Sequence, residues 1–156
     1  METVGLGLCF EDFPVGRKFR TVGRTITDTD IVNYVNCTGL TEVLFTDAEF
    51  RERHSAIKGR FAPAMLAYAL AEGLLVQATM QHTALAFLGM ELNVHNPVFA
   101  GDTIHVEVEV VEARVSRSRP DRGLVRTRND IVKQDGTKVL TYTPLRMVKL
   151  RSAVRR

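Results

Sequence analysis

The longest continuous pattern in the chain is helical in period and apolar on every side. Between Pro63 and about Gln81, large apolar residues recur every three or four positions, and the opposite side carries small or apolar residues as well. A helix without a polar face must be buried nearly all round. The pattern therefore predicts one long central helix that is largely enclosed by the rest of the fold.

Two shorter helices are predicted ahead of the central helix from their first residues. Thr27 and Thr46 are each followed by an acidic residue three positions later, which is an acidic variant of the capping box. The first helix is expected to end near Gly39, where a glycine follows the last apolar position, and the second near His54.

Strand patterns dominate the rest of the chain. Thr103–Val111 alternates apolar with polar or charged residues, as expected of a strand with one buried face. Further strands are predicted at Arg17–Thr25, Ala84–Val94, Leu124–Lys133 and Lys138–Leu150. A long helix ahead of a run of antiparallel strands predicts an α+β domain in which the sheet wraps the helix.

Length and composition fit a single domain that spans residues 1–156, with an ordered core over about 10–151. The chain has 156 residues, of which 45% are apolar and 25% charged. No apolar run reaches the roughly 18 residues of a membrane span, and the N-terminus has no pattern of a secretion signal. We therefore expect a cytoplasmic protein that does not enter a membrane.

The net charge of +3 is unevenly distributed, because six arginines fall within residues 114–128. No aromatic residue lies among them to stack on a base, and no nucleic-acid-binding motif is visible, so no nucleic-acid partner is expected. The histidines and cysteines lack metal-ligand spacing, so no metal is expected either.

Four segments carry a resemblance to a known family: Phe10–Gly16, Asn96–Ile104, Ser116–Gly123 and the turn Gln134–Gly136. In this order and spacing, they resemble the MaoC-like (R-specific enoyl-CoA hydratase-like) proteins. The resemblance covers nearly the whole chain. It implies a single hot-dog domain, an acyl-CoA or acyl-carrier-protein thioester as ligand, and no further cofactor. It also implies a homodimer or higher even-numbered oligomer with sites at the interface.

The catalytic segment of the family is altered in this chain. Its motif, Gly-Asp-x-Asn-Pro-x-His-x-Asp, falls on Gly39–Asp47, where Leu40 stands at the position of the catalytic Asp and Phe45 at that of the catalytic His. Neither side chain can exchange a proton, so the family's hydration step cannot run through these positions. Leu40 and Phe45 are instead expected to line an acyl pocket.

Three nearby residues are candidates for replacement chemistry. Glu42 lies among apolar residues, where desolvation would suit a carboxylate for acid–base catalysis, although a surface or dimer-contact role also fits. Asp47 is either catalytic or a first-turn residue that suits the helix dipole. His54 approaches the pocket from the short helix.

Two further sets of residues bear on the ligand. Arg117, Ser118 and Arg119 flank a hairpin where related proteins approach a CoA phosphate, and a solvated hairpin is the alternative. Glu72 lies in the middle of the central helix, where some hot-dog thioesterases carry an acidic catalytic residue. Its alternative role is a buried carboxylate that is hydrogen-bonded to a neighbour such as Tyr68.

Three functions remain open from the sequence. The first is a hydratase/dehydratase-type lyase that acts on or binds an acyl thioester without the usual catalytic pair. The second is a non-catalytic acyl-thioester-binding or structural subunit, which could pair with an active paralogue. The third is a hot-dog thioesterase, and it depends on Glu72 alone.

Overall fold

The computed structural model describes residues 1–154. Its helices are α1 Asp28–Thr38, α2 Val43–Thr46, α3 Ala48–His54, α4 Ala64–Thr79 and α5 Arg151–Val154. The strands are β1 Lys18–Arg20, β2 Arg24–Thr25, β3 Ala84–Gly89, β4 Leu92–Val94, β5 Thr103–Val115, β6 Arg122–Lys133, β7 Lys138–Tyr142 and β8 Leu145–Lys149. No helix within these residues combines the length and the hydrophobicity that crossing a membrane requires.

All eight strands belong to one antiparallel sheet with β5 and β6 at its centre. β1 and β2 both pair with β5 on one side. On the other side, β7 and β8 pair with successive parts of β6, and β4 and β3 form the outer edge. The edge formed by β3 and β4 has no further strand beyond it within the described residues.

The core lies between α4 and the concave face of this sheet. Ala67 and Ala71 on α4 are fully buried, and they share one apolar cluster with Val106 of β5 and Ile131 of β6, which are also fully buried. Alanine lets a helix approach a sheet closely because its side chain adds so little volume. The predicted α+β architecture, a long helix wrapped by an antiparallel sheet, is confirmed.

The prediction that the central helix is buried nearly all round is wrong for a single chain. The sheet covers one side of α4, and the opposite side is open. This open face carries Met65, Ala69, Gly73 and Val76, all exposed. Within the described residues, this apolar face of the helix is therefore left uncovered.

Three predicted strands are each interrupted in the structure. Arg17–Thr25 forms the two short strands β1 and β2, and Ala84–Val94 forms β3 and β4. Lys138–Leu150 breaks between β7 and β8 at Thr143–Pro144, because proline has no N–H to donate to a central ladder. Conversely, the strand predicted to end at Val111 continues through an irregularity in its pairing to the end of β5.

The capping prediction holds at the first helix and fails at the second. The backbone N–H of Asp30 donates to Thr27 Oγ1 at 3.1 Å, and the N–H of Thr27 donates to the Asp30 carboxylate at 2.8 Å. Thr46, in contrast, is the last residue of α2. Asp47 caps α3 instead, accepting a hydrogen bond from the N–H of Phe50 at 2.9 Å.

Candidate functional site

An apolar cavity of about 290 Å³ lies at the N-terminal end of α4. Phe45 of α2 forms one wall, and the segment Phe61–Ala64 that leads into α4 forms another. Val98, before β5, and Val139, in β7, complete the apolar lining. The cavity can therefore enclose a short hydrocarbon chain, and it presents no carboxylate to it.

Local contacts hold these walls together. The rings of Phe45 and Phe61 meet edge to face with their centroids 5.5 Å apart, which is a favourable aromatic geometry. The N–H of Ala62 donates to the carbonyl of Val98 at 2.8 Å, and Phe61 also pairs with Phe99. The segment ahead of α4 is thus fixed to the turn before β5, and the cavity lies between them.

Asp102 organises that turn. Its carboxylate accepts hydrogen bonds from the backbone N–H of Phe99 at 2.9 Å and from the amide of Gln134 at 2.9 Å, and it pairs with Lys133 at 3.3 Å. Burial pushes the pKa of Asp102 upward, but the hydrogen bonds from Gln134 and Phe99 and the charge of Lys133 outweigh it and lower the pKa. The turn therefore depends on an ionised carboxylate.

Of the residues predicted for the site, Phe45 lines this cavity and the others do not. Leu40 is 39% exposed and lies outside it. Glu42 is exposed, so the desolvation expected for its carboxylate is absent in a single chain. Asp47 is occupied as a helix cap. His54 is exposed at the end of α3, with its ring 5.3 Å from that of Phe50.

His95 is a cavity residue that the sequence pattern did not single out. It follows β4, and its Nε2 lies 2.9 Å from Thr141 Oγ1. The Thr141 hydroxyl donates to the carboxylate of Asp130 at 2.5 Å, so it accepts from the imidazole N–H. This contact joins two residues that are 46 positions apart in the sequence, and no short-range pattern carries that information.

The hairpin between β5 and β6 contains a second hollow, of about 490 Å³. Arg117 and Ser118 line it, and so does Leu88 of β3. Four of the six arginines in this region pair with carboxylates: Arg114, Arg122, Arg126 and Arg128. Among the described residues, no ion pair occupies Arg117 or Arg119.

Glu72 is engaged inside the fold. Its carboxylate binds the guanidinium of Arg146 at 2.6 Å and accepts a hydrogen bond from the hydroxyl of Tyr142 at 2.7 Å. The expected partner Tyr68 instead packs its ring edge to face on Tyr142. Burial, together with the charge of Glu72, raises the pKa of Tyr142 well above its ordinary value, so the phenol stays a donor.

Residues 12–133 match the family model described as the MaoC like domain. The MaoC-like dehydratase from Rhodospirillum rubrum is 31% identical over 93% of this chain and 99% of that chain, with a TM-score of 0.80. The (R)-hydratase from A. caviae is 25% identical over 88% and 96%, with a TM-score of 0.65. A Mycobacterium tuberculosis protein with a double hotdog fold is 24% identical over 96% and 46%, with a TM-score of 0.82, and confirms the fold. Comparison with curated proteins finds no match.

The Asp102 contacts predict a pH-dependent contribution to stability. A carboxylate with a lowered folded pKa stabilises the fold above its unfolded pKa, near 3.8, and this contribution disappears as the pH falls through the folded value. Asp102→Asn should lower the free energy of unfolding by about 1–3 kcal/mol at pH 7. In urea titrations, the difference from wild type should shrink as the pH falls below 3.8, through the lowered folded pKa.

Glu91→Gln provides the control for this experiment, because Glu91 is exposed. It should change the free energy of unfolding by less than about 0.5 kcal/mol at pH 7. An equal loss for Asp102→Asn at pH 7 and below pH 3.8 would contradict the assigned role of the Asp102 charge.

Proposed function

This chain belongs to the MaoC-like domain family, and we propose on that premise that it binds an acyl thioester of CoA or of an acyl carrier protein. The single observation that supports this proposal is the apolar cavity at the start of α4. The (R)-hydratase and dehydratase activities named for solved relatives are consistent with a ligand of this class.

The dimensions and the chemistry of the cavity favour a short acyl chain. Ala62 and Ala64 have small side chains, so the segment that leads into α4 takes up little of the cavity volume. Phe45 and Phe61 bound the cavity on the α2 side. Apolar surface removed from water contributes about 25 cal/mol per Å², so a hydrocarbon chain gains free energy by entering. The volume of about 290 Å³ accommodates a short chain within the cavity.

Leu40 and Phe45 favour binding without the family's hydration step. A hydratase needs a group that removes a proton from water and a group that returns one to the substrate. The hydrocarbon side chains at these two positions do neither. This supports the non-catalytic subunit, alone or beside an active paralogue, over a hydratase that uses this pair of positions. The thioesterase gains no support, because Glu72 is held by Arg146 and Tyr142.

We further propose that two copies associate through the open face of α4 and the edge strand β3. Leu85, Phe87 and Leu88 are exposed on β3, which pairs only with β8 within the described residues. The Arg146 guanidinium lies over the ring of Phe87, 5.2 Å from its centroid, and also binds Glu72 of α4. The two apolar areas therefore adjoin, as one interface requires.

A two-fold dimer of this kind would complete the ligand site. If the β3 edges pair antiparallel, each hairpin between β5 and β6 comes to the end of the sheet that carries the other copy's cavity. The partner subunit's Arg117 and Arg119 could then bind a CoA phosphate while the acyl chain lies in this chain's cavity. Neither guanidinium forms an ion pair within the described residues, which supports this assignment.

The cavity predicts a localised effect on ligand binding. Ala64→Leu adds volume to the cavity wall and should weaken binding of butyryl-CoA at least about tenfold, because a tightly packed site does not absorb extra methyl groups without cost. Isothermal titration calorimetry measures the affinity. Ala78→Leu, at an exposed position of the same helix, should leave it unchanged. Equal losses in both variants, or none in Ala64→Leu, would exclude this cavity as the acyl site.

Because the catalytic pair is absent, the wild-type protein should not hydrate crotonyl-CoA above background. The assay measures hydration as the loss of enoyl-thioester absorbance. The double substitution Leu40→Asp with Phe45→His should create weak hydration, whereas neither single substitution should. Glu42→Gln should have no effect. Wild-type turnover that falls about 10²–10⁴-fold in Glu42→Gln would instead assign general acid–base catalysis to Glu42.

The proposed interface predicts a dimer of twice the 17.5 kDa chain mass, or a higher even multiple, in light scattering. Ala69→Glu places charges on the open face of α4 and should shift the protein towards the monomer, because buried like charges repel. Position 78 lies on the opposite side of the helix axis from position 69, so Ala78→Glu should leave the mass of the oligomer unchanged. A wild-type monomer at all concentrations would refute the interface.

A further inference from the structure

A separate groove of about 390 Å³ lies between α1 and the α2–α3 segment, outside the cavity described above. Val32 and Val35 of α1 line one side, and Ala48 of α3 lines the other. Two guanidinium groups, those of Arg51 and Arg60, also line it. An apolar groove with two positive groups in its wall is suited to a ligand with an apolar body and an anionic head.

We propose that this groove is a second binding site, for a monocarboxylate with a short apolar chain. Arg51 donates to the carbonyl of Leu44 at 3.1 Å, and Arg60 donates to the carbonyl of Phe45 at 2.8 Å. Each guanidinium has five N–H donors. These two contacts fix the groups at the groove and leave donors for an incoming carboxylate.

The charge of the groove favours a monoanion. Arg51 and Arg60 are the charged residues that line the groove, and Arg60 forms an ion pair with Asp28. Among these three groups, Arg51 therefore supplies the one uncompensated positive charge. A carboxylate balances that charge, and its geometry matches a guanidinium bidentately. A doubly charged phosphate would exceed the single positive charge of Arg51, and Asp28 would repel it. The amide of Asn36 lines the groove and can donate to the same oxygens.

Phe45 forms a wall of both the groove and the acyl cavity. Its backbone carbonyl is held by Arg60, and its ring by the edge-to-face contact with Phe61. The two spaces are therefore separate while Phe45 keeps this position. The groove can bind its carboxylate whether or not the cavity binds a thioester, so this proposal does not depend on the proposed function.

Titration calorimetry of the full chain with hexanoate tests the proposal. Hexanoate should bind saturably, and its neutral isostere hexanamide should bind at least about tenfold more weakly, since a hydrogen bond to a charged group contributes more than one between neutral groups. Arg51→Gln should weaken hexanoate binding at least about tenfold. Arg53→Gln is the matched control, because Arg53 lies on the same helix, pairs with Glu49 and does not line the groove. The Arg53→Gln variant should bind hexanoate as the wild type does.

Two further variants keep the test decisive. Val32→Trp fills the groove from the exposed side of α1 without removing a charge, and it should also abolish hexanoate binding. This variant decides the test if Arg51→Gln does not fold. Ala64→Leu, which narrows the acyl cavity, should leave hexanoate binding unchanged. The proposal is overturned if hexanoate does not saturate, if Val32→Trp binds it as wild type does, or if Ala64→Leu alone abolishes binding.

Discussion

The close packing of α4 against the sheet is the constraint on which the rest of this structure depends. The buried alanines Ala67 and Ala71 let the helix backbone pack against β5 and β6 in one apolar cluster. A sheet of this width covers only one side of a helix. The remaining side is apolar and exposed in the single chain, which is the basis of the proposed interface, and the cavity lies at the first turn of α4. The acyl cavity and the proposed interface are thus two consequences of one packing arrangement.

A polar contact fixes the orientation of α4 within this packing. Alanines alone would allow the helix to rotate or slide, because they interlock weakly. The ion pair between Glu72 and Arg146, reinforced by the Tyr142 hydroxyl, connects the middle of the helix to both strands that flank Pro144. Removing one partner of such a buried pair costs roughly 3–5 kcal/mol because the other charge is left without compensation. This contact therefore favours one orientation of the helix, together with the buried side chains of Leu66 and Leu75.

The sequence predicts those features that short-range chemistry determines. The capping box at Thr27, the αL glycine at Gly39 and the tight turn at Gly136 all appear in the structure. The apolar alternation continues across Pro144 and therefore predicts one strand, although proline interrupts it in the structure. Features that depend on partners distant in the sequence cannot be predicted from local patterns. The motif draws attention to Phe45, which lines the cavity in the structure, whereas the contacts of His95 exist only after β4 pairs with β7.

The hydrocarbon side chain at position 45 also has an energetic consequence for the cavity. An imidazole or a carboxylate in an apolar cavity loses hydration, and such groups persist in active sites because function requires them. Phenylalanine at position 45 removes that cost and adds an aromatic contact with Phe61. The same ring separates the acyl cavity from the groove beside α1. The phenyl ring at position 45 thus encloses both spaces and packs against Phe61, and it presents no proton-transfer group to either.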